Sequence, residues 1–100
     1  MYRQKLIPAN DFCVGHNIEI SFIKQLREIG LIEIKTIEET IYIPASQLRQ
    51  LERMVRLFYD LDINMEGIDT INHLLNRVVD MQKEITTLKN RLRLYEADNT

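Results

Sequence analysis

Little in this chain breaks a helix. Three glycines and two prolines in 100 residues are too few for a turn-rich sandwich or barrel, and they favour long helices. The one cysteine, Cys13, has no mate for an internal disulfide and leaves no cluster for a structural zinc. No apolar run reaches the roughly 18 residues of a membrane span. The opening Met1-Tyr-Arg-Gln-Lys-Leu-Ile-Pro lacks the apolar core of a signal peptide, so a cytosolic location is expected. Positive charge is not in excess either. Thirteen Lys and Arg against 15 Asp and Glu give a net charge of −2, which argues against a general binder of nucleic acid or anionic membrane and leaves room for a local basic patch. There is no Gly-rich phosphate loop, nucleophile elbow or His-Glu-x-x-His. Paired carboxylates occur only in surface clusters with no pocket implied. No catalysis and no cofactor are expected.

What is present is ordinary globular composition, 45% apolar and 28% charged, enough for about one small domain. Internal repeats and low-complexity stretches are absent. Leu6-Ile7 is followed by Pro8, which suits the first turn of a short helix carrying Phe12 and Cys13. Gly15 is a natural stop for that helix, and Asn17 tolerates a turn with positive φ. A second helix is predicted over about Glu19 to Ile29, with Phe22, Leu26 and Ile29 at i, i+4, i+7, Ile23 beside them, and Gly30 at its end. Ile32, Ile34, Ile41 and Ile43 then alternate with Glu33, Lys35 and Tyr42 between Gly30 and Pro44, the period of a two-stranded hairpin turning near Glu38-Glu39. Pro44 opens a third helix, about 45–61, on a stripe of Leu48, Leu51, Val55 and Phe58. Asp60-Leu-Asp-Ile-Asn64 interrupts it, and Asn64 suits the N-cap of the next helix.

From Met65 to about Glu96 the only Gly is Gly67 and there is no Pro. Ile71, Leu74, Val78, Met81, Ile85, Leu88, Leu92 and Tyr95 alternate spacings of three and four, the a/d seam of a coiled coil. Such a helix is about 45 Å long, and a chain of this size has no body to cover it. A second copy is the simplest partner, giving a homodimer; folding back onto the chain's own module is the alternative. Glu84–Lys89′ and Arg91–Glu96′ pairs suit a parallel dimer and Glu84–Arg91′ an antiparallel one, so these charges alone leave the orientation open. The organisation read here is a module over 1–63 and a dimerising helix over 64–100.

Several features invite a sharper reading than they support. Asp60-x-Asp62-x-Asn64 begins like a calcium loop, but positions six and twelve, which need Gly and Glu, are Met65 and Ile71; a polar helix junction is favoured. Arg49, Arg53 and Arg56 form one basic face, read as solvated with a Glu52–Arg56 pair rather than as a phosphate stripe. Cys13, between Phe12 and Val14, reads as buried and inert. His16 and His73 have no paired ligand at i+3 or i+4, which places His16 in a turn and His73 on the coil surface. Tyr42 and Tyr59 suit partner contact or packing equally, and Leu94 and Tyr95 suit dimer packing.

The order helix, turn, helix, hairpin wing, helix, coil resembles the winged-helix regulators of the MerR type, and Gly30-Leu31-Ile32 matches their Gly-Leu-Leu-like step. The fold class expected is therefore mainly α, a MerR-like winged helix-turn-helix with a small hairpin and a long C-terminal coiled-coil helix. Those regulators carry an Arg-Tyr-Tyr triplet that contacts DNA phosphates, where this chain has Lys24-Gln25-Leu26. Their Gly-Tyr-Arg wing is Thr40-Ile41-Tyr42 here, and the wing tip is Glu38-Glu39. The sequence resembles more closely the chaperone-modulator family CbpM, a small MerR-like branch. The resemblance lies in Asp11-Phe12-Cys13 with a nearby His, in Ile37-Glu38-Glu39-Thr40, in Arg56-Leu57 with Asp60-Leu61 and Gly67-Ile68, and in Leu88-Lys-Asn-Arg91-Leu92. It spans about residues 6–95.

That resemblance implies a protein that binds the J-domain of a DnaJ/CbpA-type co-chaperone and blocks its stimulation of the DnaK-type chaperone. An inhibitor that masks the basic helix of a J-domain should offer acidic groups around an apolar patch. Two clusters meet that description: Glu38 and Glu39 with Tyr42 on the wing, and Asp60, Asp62, Glu66 and Asp69 at the helix junction. The alternative is a DNA-binding regulator using Lys24 and Arg27, against which stands the balance of 5 basic and 6 acidic groups over residues 1–43. A dimerisation adaptor for another partner is a third class.

Overall fold

The computed structural model describes residues 5–98. The first part of the opening segment read for a signal peptide, residues 1–4, lies outside them. The elements run β1 (Leu6–Pro8), α1 (Ala9–His16), α2 (Ile20–Glu28), β2 (Lys35–Ile37), β3 (Thr40–Pro44), a 3-10 turn (Ala45–Gln47), α3 (Leu48–Val55), a π-helical turn (Arg56–Asp60) and α4 (Met65–Asp98). This is a mainly helical winged helix-turn-helix module with a small sheet and a long C-terminal helix. The chain parts into two compact units between Asp69 and Thr70. No helix among the described residues is long and apolar enough to cross a membrane.

The first unit holds the core. Ala9, Phe12 and Cys13 from α1, Phe22, Ile23 and Leu26 from α2, Leu31 and Ile32 from the following loop, Ile43 from β3, Leu51 and Met54 from α3 and Ile68 from the first turns of α4 are all buried. Full burial of each large apolar side chain contributes about 1.5–3 kcal/mol. Three departures from the sequence reading concern which residues face this core. Ile29 is 43% exposed, because α2 ends at Glu28 and the turn carries Ile29 off the core face. Leu31 and Ile32 take its place. Met54, absent from the expected stripe, is buried, while Leu48, Val55 and Phe58 are only partly so.

Both helices of the helix-turn-helix end in the same hydrogen-bonded closure. At α1, Asn17 N–H donates to Val14 O at 3.3 Å and Ile18 N–H to Cys13 O at 2.9 Å. At α2, Gly30 N–H donates to Arg27 O at 3.1 Å and Leu31 N–H to Leu26 O at 2.9 Å. Each is a Schellman closure, which needs one residue in the left-handed region. Gly30 (φ 82°) and Asn17 (φ 55°) supply it. Gly15 is not the stop: α1 continues through it to His16, because the left-handed residue stands two positions later.

The sheet has three strands, not two, in the order β1-β3-β2. Leu6 and Ile7 form an edge strand antiparallel to β3, with Leu6 opposite Pro44 and Pro8 opposite Tyr42. The hairpin strand expected from Ile32 begins only at Lys35, because the backbone of Glu33 is already bonded to the Gln47 side chain (2.7 and 2.8 Å). Pro44 closes β3 and precedes the 3-10 turn rather than opening an α-helix.

A candidate binding surface

The wing turn is the residue pair Glu38-Glu39, both exposed and both with positive φ (47° and 68°). A two-residue hairpin of this kind is usually Asn-Gly, because left-handed backbone is unfavourable for a side chain with a Cβ. Glu39 shares a small groove of about 270 Å³ with Asn10, Ile20, Lys24, Thr40 and Ile41. Lys24, one of the two cations of α2 suited to a phosphate, thus lies on the same groove as a wing carboxylate. Tyr42 is half-buried on β3, opposite Lys35 on one side and Pro8 on the other.

The second candidate region is built by the π turn. Leu61 N–H donates to Arg56 O at 3.1 Å and Ile63 N–H to Leu57 O at 2.9 Å. The widened turn lets the consecutive residues Phe58 and Tyr59 both reach Phe22, at centroid distances of 4.9 and 5.4 Å. Glu19 N–H, at the start of α2, donates to the Tyr59 hydroxyl at 3.3 Å. π turns of this sort occur frequently at functional sites.

Beside it lies an open cleft of about 590 Å³ lined by His16, Asn17, Glu52, Val55, Arg56, Tyr59 and Asp60. The His16 ring stacks on Phe12 at 4.1 Å, and its Nδ1 donates to the Phe12 carbonyl at 3.1 Å. That bond directs Nε2 toward Glu52 Oε1, 4.0 Å away. The two carboxylates, the aromatic ring and the imidazole can hold a hydrogen-bond donor or a cationic side chain, with Arg56 as a counterweight.

The residues of the expected acidic cluster stand as follows. Asp60 lines this cleft, but Asp62, Glu66 and Asp69 are not among its lining residues. Asp62 is exposed with φ 57° in the connection. Glu66 stands in the first turn of α4 with Asp69 in the next, where the helix dipole favours negative charge. Asn64 caps that helix as expected, its Oδ1 accepting from Gly67 N–H at 2.8 Å. Among the described residues no group of three His, Cys, Asp or Glu is placed to hold a metal. Cys13 is buried, and burial pushes its thiol pKa up. His73 is exposed on α4.

In the second unit the expected seam is exposed. Leu74, Val78, Met81, Ile85, Leu88, Leu92 and Tyr95 range from 47% exposed at Val78 to 68% at Tyr95, and Ile71 is half-buried.

A family model described as the MerR HTH family regulatory protein matches residues 7–90, covering the module and most of α4. The chain belongs to the MerR family. In this MerR-family module α2 exposes Lys24, Gln25 and Arg27 and buries Leu26, so the third position of the Lys24-Gln25-Leu26 triplet is spent on the core. No curated protein and no solved structure matches the chain.

Gln47 and Gln50 have structural parts that the sequence reading did not assign, and Glu52, expected to pair with Arg56, lies 4.0 Å from His16 Nε2. Gln50 Nε2 donates to Leu31 O at 3.2 Å, so two amides of the α3 segment hold the loop that leads into the wing. Their only sequence signal is glutamine spaced at i, i+3 on the helix following a hairpin.

Proposed function

We propose that this MerR-family chain is a non-catalytic modulator that binds the J-domain of a DnaJ/CbpA-type co-chaperone and withholds it from the DnaK-type chaperone. The observation that carries the reading is the wing. Its exposed tip is a pair of carboxylates, and one of them shares a groove with Lys24. A wing that tracks a phosphate backbone needs the opposite charge. A basic helix, the surface a J-domain presents to its chaperone, is complementary to these groups. The cleft carrying Glu52, Tyr59 and Asp60 is a second place where a basic side chain can seat. The resemblance to the chaperone-modulator branch, in Ile37-Glu38-Glu39-Thr40 and Asp11-Phe12-Cys13, points the same way.

The alternative is a DNA-binding regulator, favoured by one observation: Lys24 and Arg27 are both exposed on α2. Calorimetric titration against J-domains at two salt concentrations tests the first reading. Micromolar or tighter binding that weakens with salt is expected, and E38K/E39K should weaken it further if the wing docks. Absence of heat with every J-domain of the source organism, with retention of genomic DNA fragments, would replace it with the DNA reading.

A further inference from the structure

The cleft beside the π turn holds hydrogen-bond acceptors in fixed directions. The Phe12 carbonyl can only accept, so Nδ1 of His16 carries the proton of the 3.1 Å bond between them. In the neutral ring Nε2 is then an acceptor, and it faces Glu52 Oε1 across 4.0 Å. Two acceptors at that spacing do not bond each other, but one NH2 group set between them can donate to both. Stacking on Phe12, with ring centroids 4.1 Å apart, keeps the imidazole in this direction. Tyr59 is held as well. Its hydroxyl accepts from Glu19 N–H and its ring meets Phe22 edge-on at 5.4 Å, while 40% of the residue stays exposed.

The charge of the cleft selects the sign of its occupant. Glu52 and Asp60 each stand four residues from Arg56, the spacing of a helical ion pair. Neither pair forms. Among the described residues Glu52 has His16 as its ion-pair partner, and Asp60 has none within 4.0 Å. Helix α1 also ends at His16, and a helix C-terminus favours positive charge. An anion would meet two carboxylates and that helix end, with Arg56 alone to attract it. A cation is favoured by all three. An ammonium is a compact charge with three donors, whereas a guanidinium is planar, carries five N–H in a fixed fork and stacks on aromatic rings. The cleft offers a ring, Tyr59, and acceptors from three elements: His16 on α1, Glu52 on α3 and Asp60 on the π turn. The guanidinium matches both kinds of contact.

We infer that this cleft seats an arginine side chain of a partner protein, its guanidinium donating to His16 Nε2, Glu52 and Asp60 and lying against Tyr59. The inference does not depend on that protein being a J-domain. Titration of N-acetyl-arginine amide into the full chain should shift the His16 and Tyr59 ring proton resonances, with a dissociation constant on the order of a few millimolar. N-acetyl-citrulline amide, the neutral isostere, should leave them in place, and N-acetyl-lysine amide should bind about threefold more weakly. E52Q should weaken arginine binding about fivefold. R56Q, which removes the competing cation, should tighten it about twofold. Two lining changes with opposite effects separate recognition from loss of fold, and matching unfolding curves confirm it. No shift with arginine up to about 50 mM, well above the expected dissociation constant, would overturn the inference. So would equal shifts with citrulline, or shifts with inorganic phosphate in place of arginine. A J-domain that fails to bind bears on the proposed function and leaves the arginine titration decisive here.

Discussion

The side chain of Gln47 pairs with the backbone of Glu33 as a strand neighbour would: its Oε1 accepts from Glu33 N–H at 2.7 Å and its Nε2 donates to Glu33 O at 2.8 Å. One amide thus satisfies both polar groups of a residue that would otherwise extend β2. The loop between α2 and the wing is anchored to the helical body instead of lengthening an edge. Two net hydrogen bonds at an exposed site amount to about 1–2 kcal/mol. Q47A should therefore lower the unfolding free energy by that amount, seen as a lower urea midpoint with an unchanged slope. An unchanged midpoint would mean that water replaces the amide at no cost.

Gly67 stands in the first turn of α4, where a residue with a side chain would ordinarily improve helix propensity. Here a Cβ would lie 2.6 Å from Ile63 Cγ2 and 3.1 Å from the capping Asn64 Oδ1. Ile63 and Ile68 flank the cap in the positions of a hydrophobic staple, and both join the core, so Ile63 has little freedom to retreat. G67A should destabilise the chain by about 1–3 kcal/mol, read from thermal unfolding. A stabilised variant would show that Ile63 can repack.

The wing turn combines two unfavourable choices, paired negative charge and left-handed backbone at residues with side chains. E38N/E39G should raise stability by about 1–2 kcal/mol and at the same time weaken binding to a J-domain. E38Q/E39Q separates the two effects, removing charge and keeping the unfavourable backbone. It should lose affinity and show no comparable gain in stability. A wing whose charges do no binding would leave the affinity of both variants unaltered.

Burial disfavours the thiolate of Cys13, so the folded chain holds that proton to higher pH than the unfolded chain does. The stability contribution is complete below the unfolded thiol's range and is lost as pH rises through the folded value. The difference in unfolding free energy between wild type and C13A should be flat to about pH 8 and then fall. A thiol reagent should modify the native protein only as fast as it unfolds. Rapid modification at neutral pH would show that the thiol is open to solvent.

What the sequence revealed is what local chemistry decides. Gly30 after an apolar helix, two β-branched runs around Glu38-Glu39, and Asn64 ahead of a long uninterrupted heptad are signals contained within a few residues. The helix end, the hairpin turn and the cap stand where they were expected, although the first hairpin strand begins only at Lys35. β1 is three residues long, too short for a period, and is recognisable only beside β3. Gly15 and Asn17 compete for one helix end, and composition favours glycine where the hydrogen bonds choose asparagine. Met54 and Ile29 exchange their expected places because α2 stops a residue early and the third helix turns a different edge to the core. The wing carboxylates could be named in advance. The cleft could not, because it joins His16 to Glu52 and Asp60 through a π turn that carries no sequence signature.

The placement of β1 also bears on how the chain acquires its fold. Leu6 pairs with Pro44, and Ala45 N–H donates to Lys5 O at 2.8 Å, so α1, α2 and the wing all lie inside a loop closed by that clasp. During synthesis β1 must wait for the forties before it has a neighbour. The two helices can form and meet earlier, since their contacts are close in sequence. Closure of a loop this long is a late, entropically costly step. Until it happens, the apolar edge of the hairpin is open to other chains.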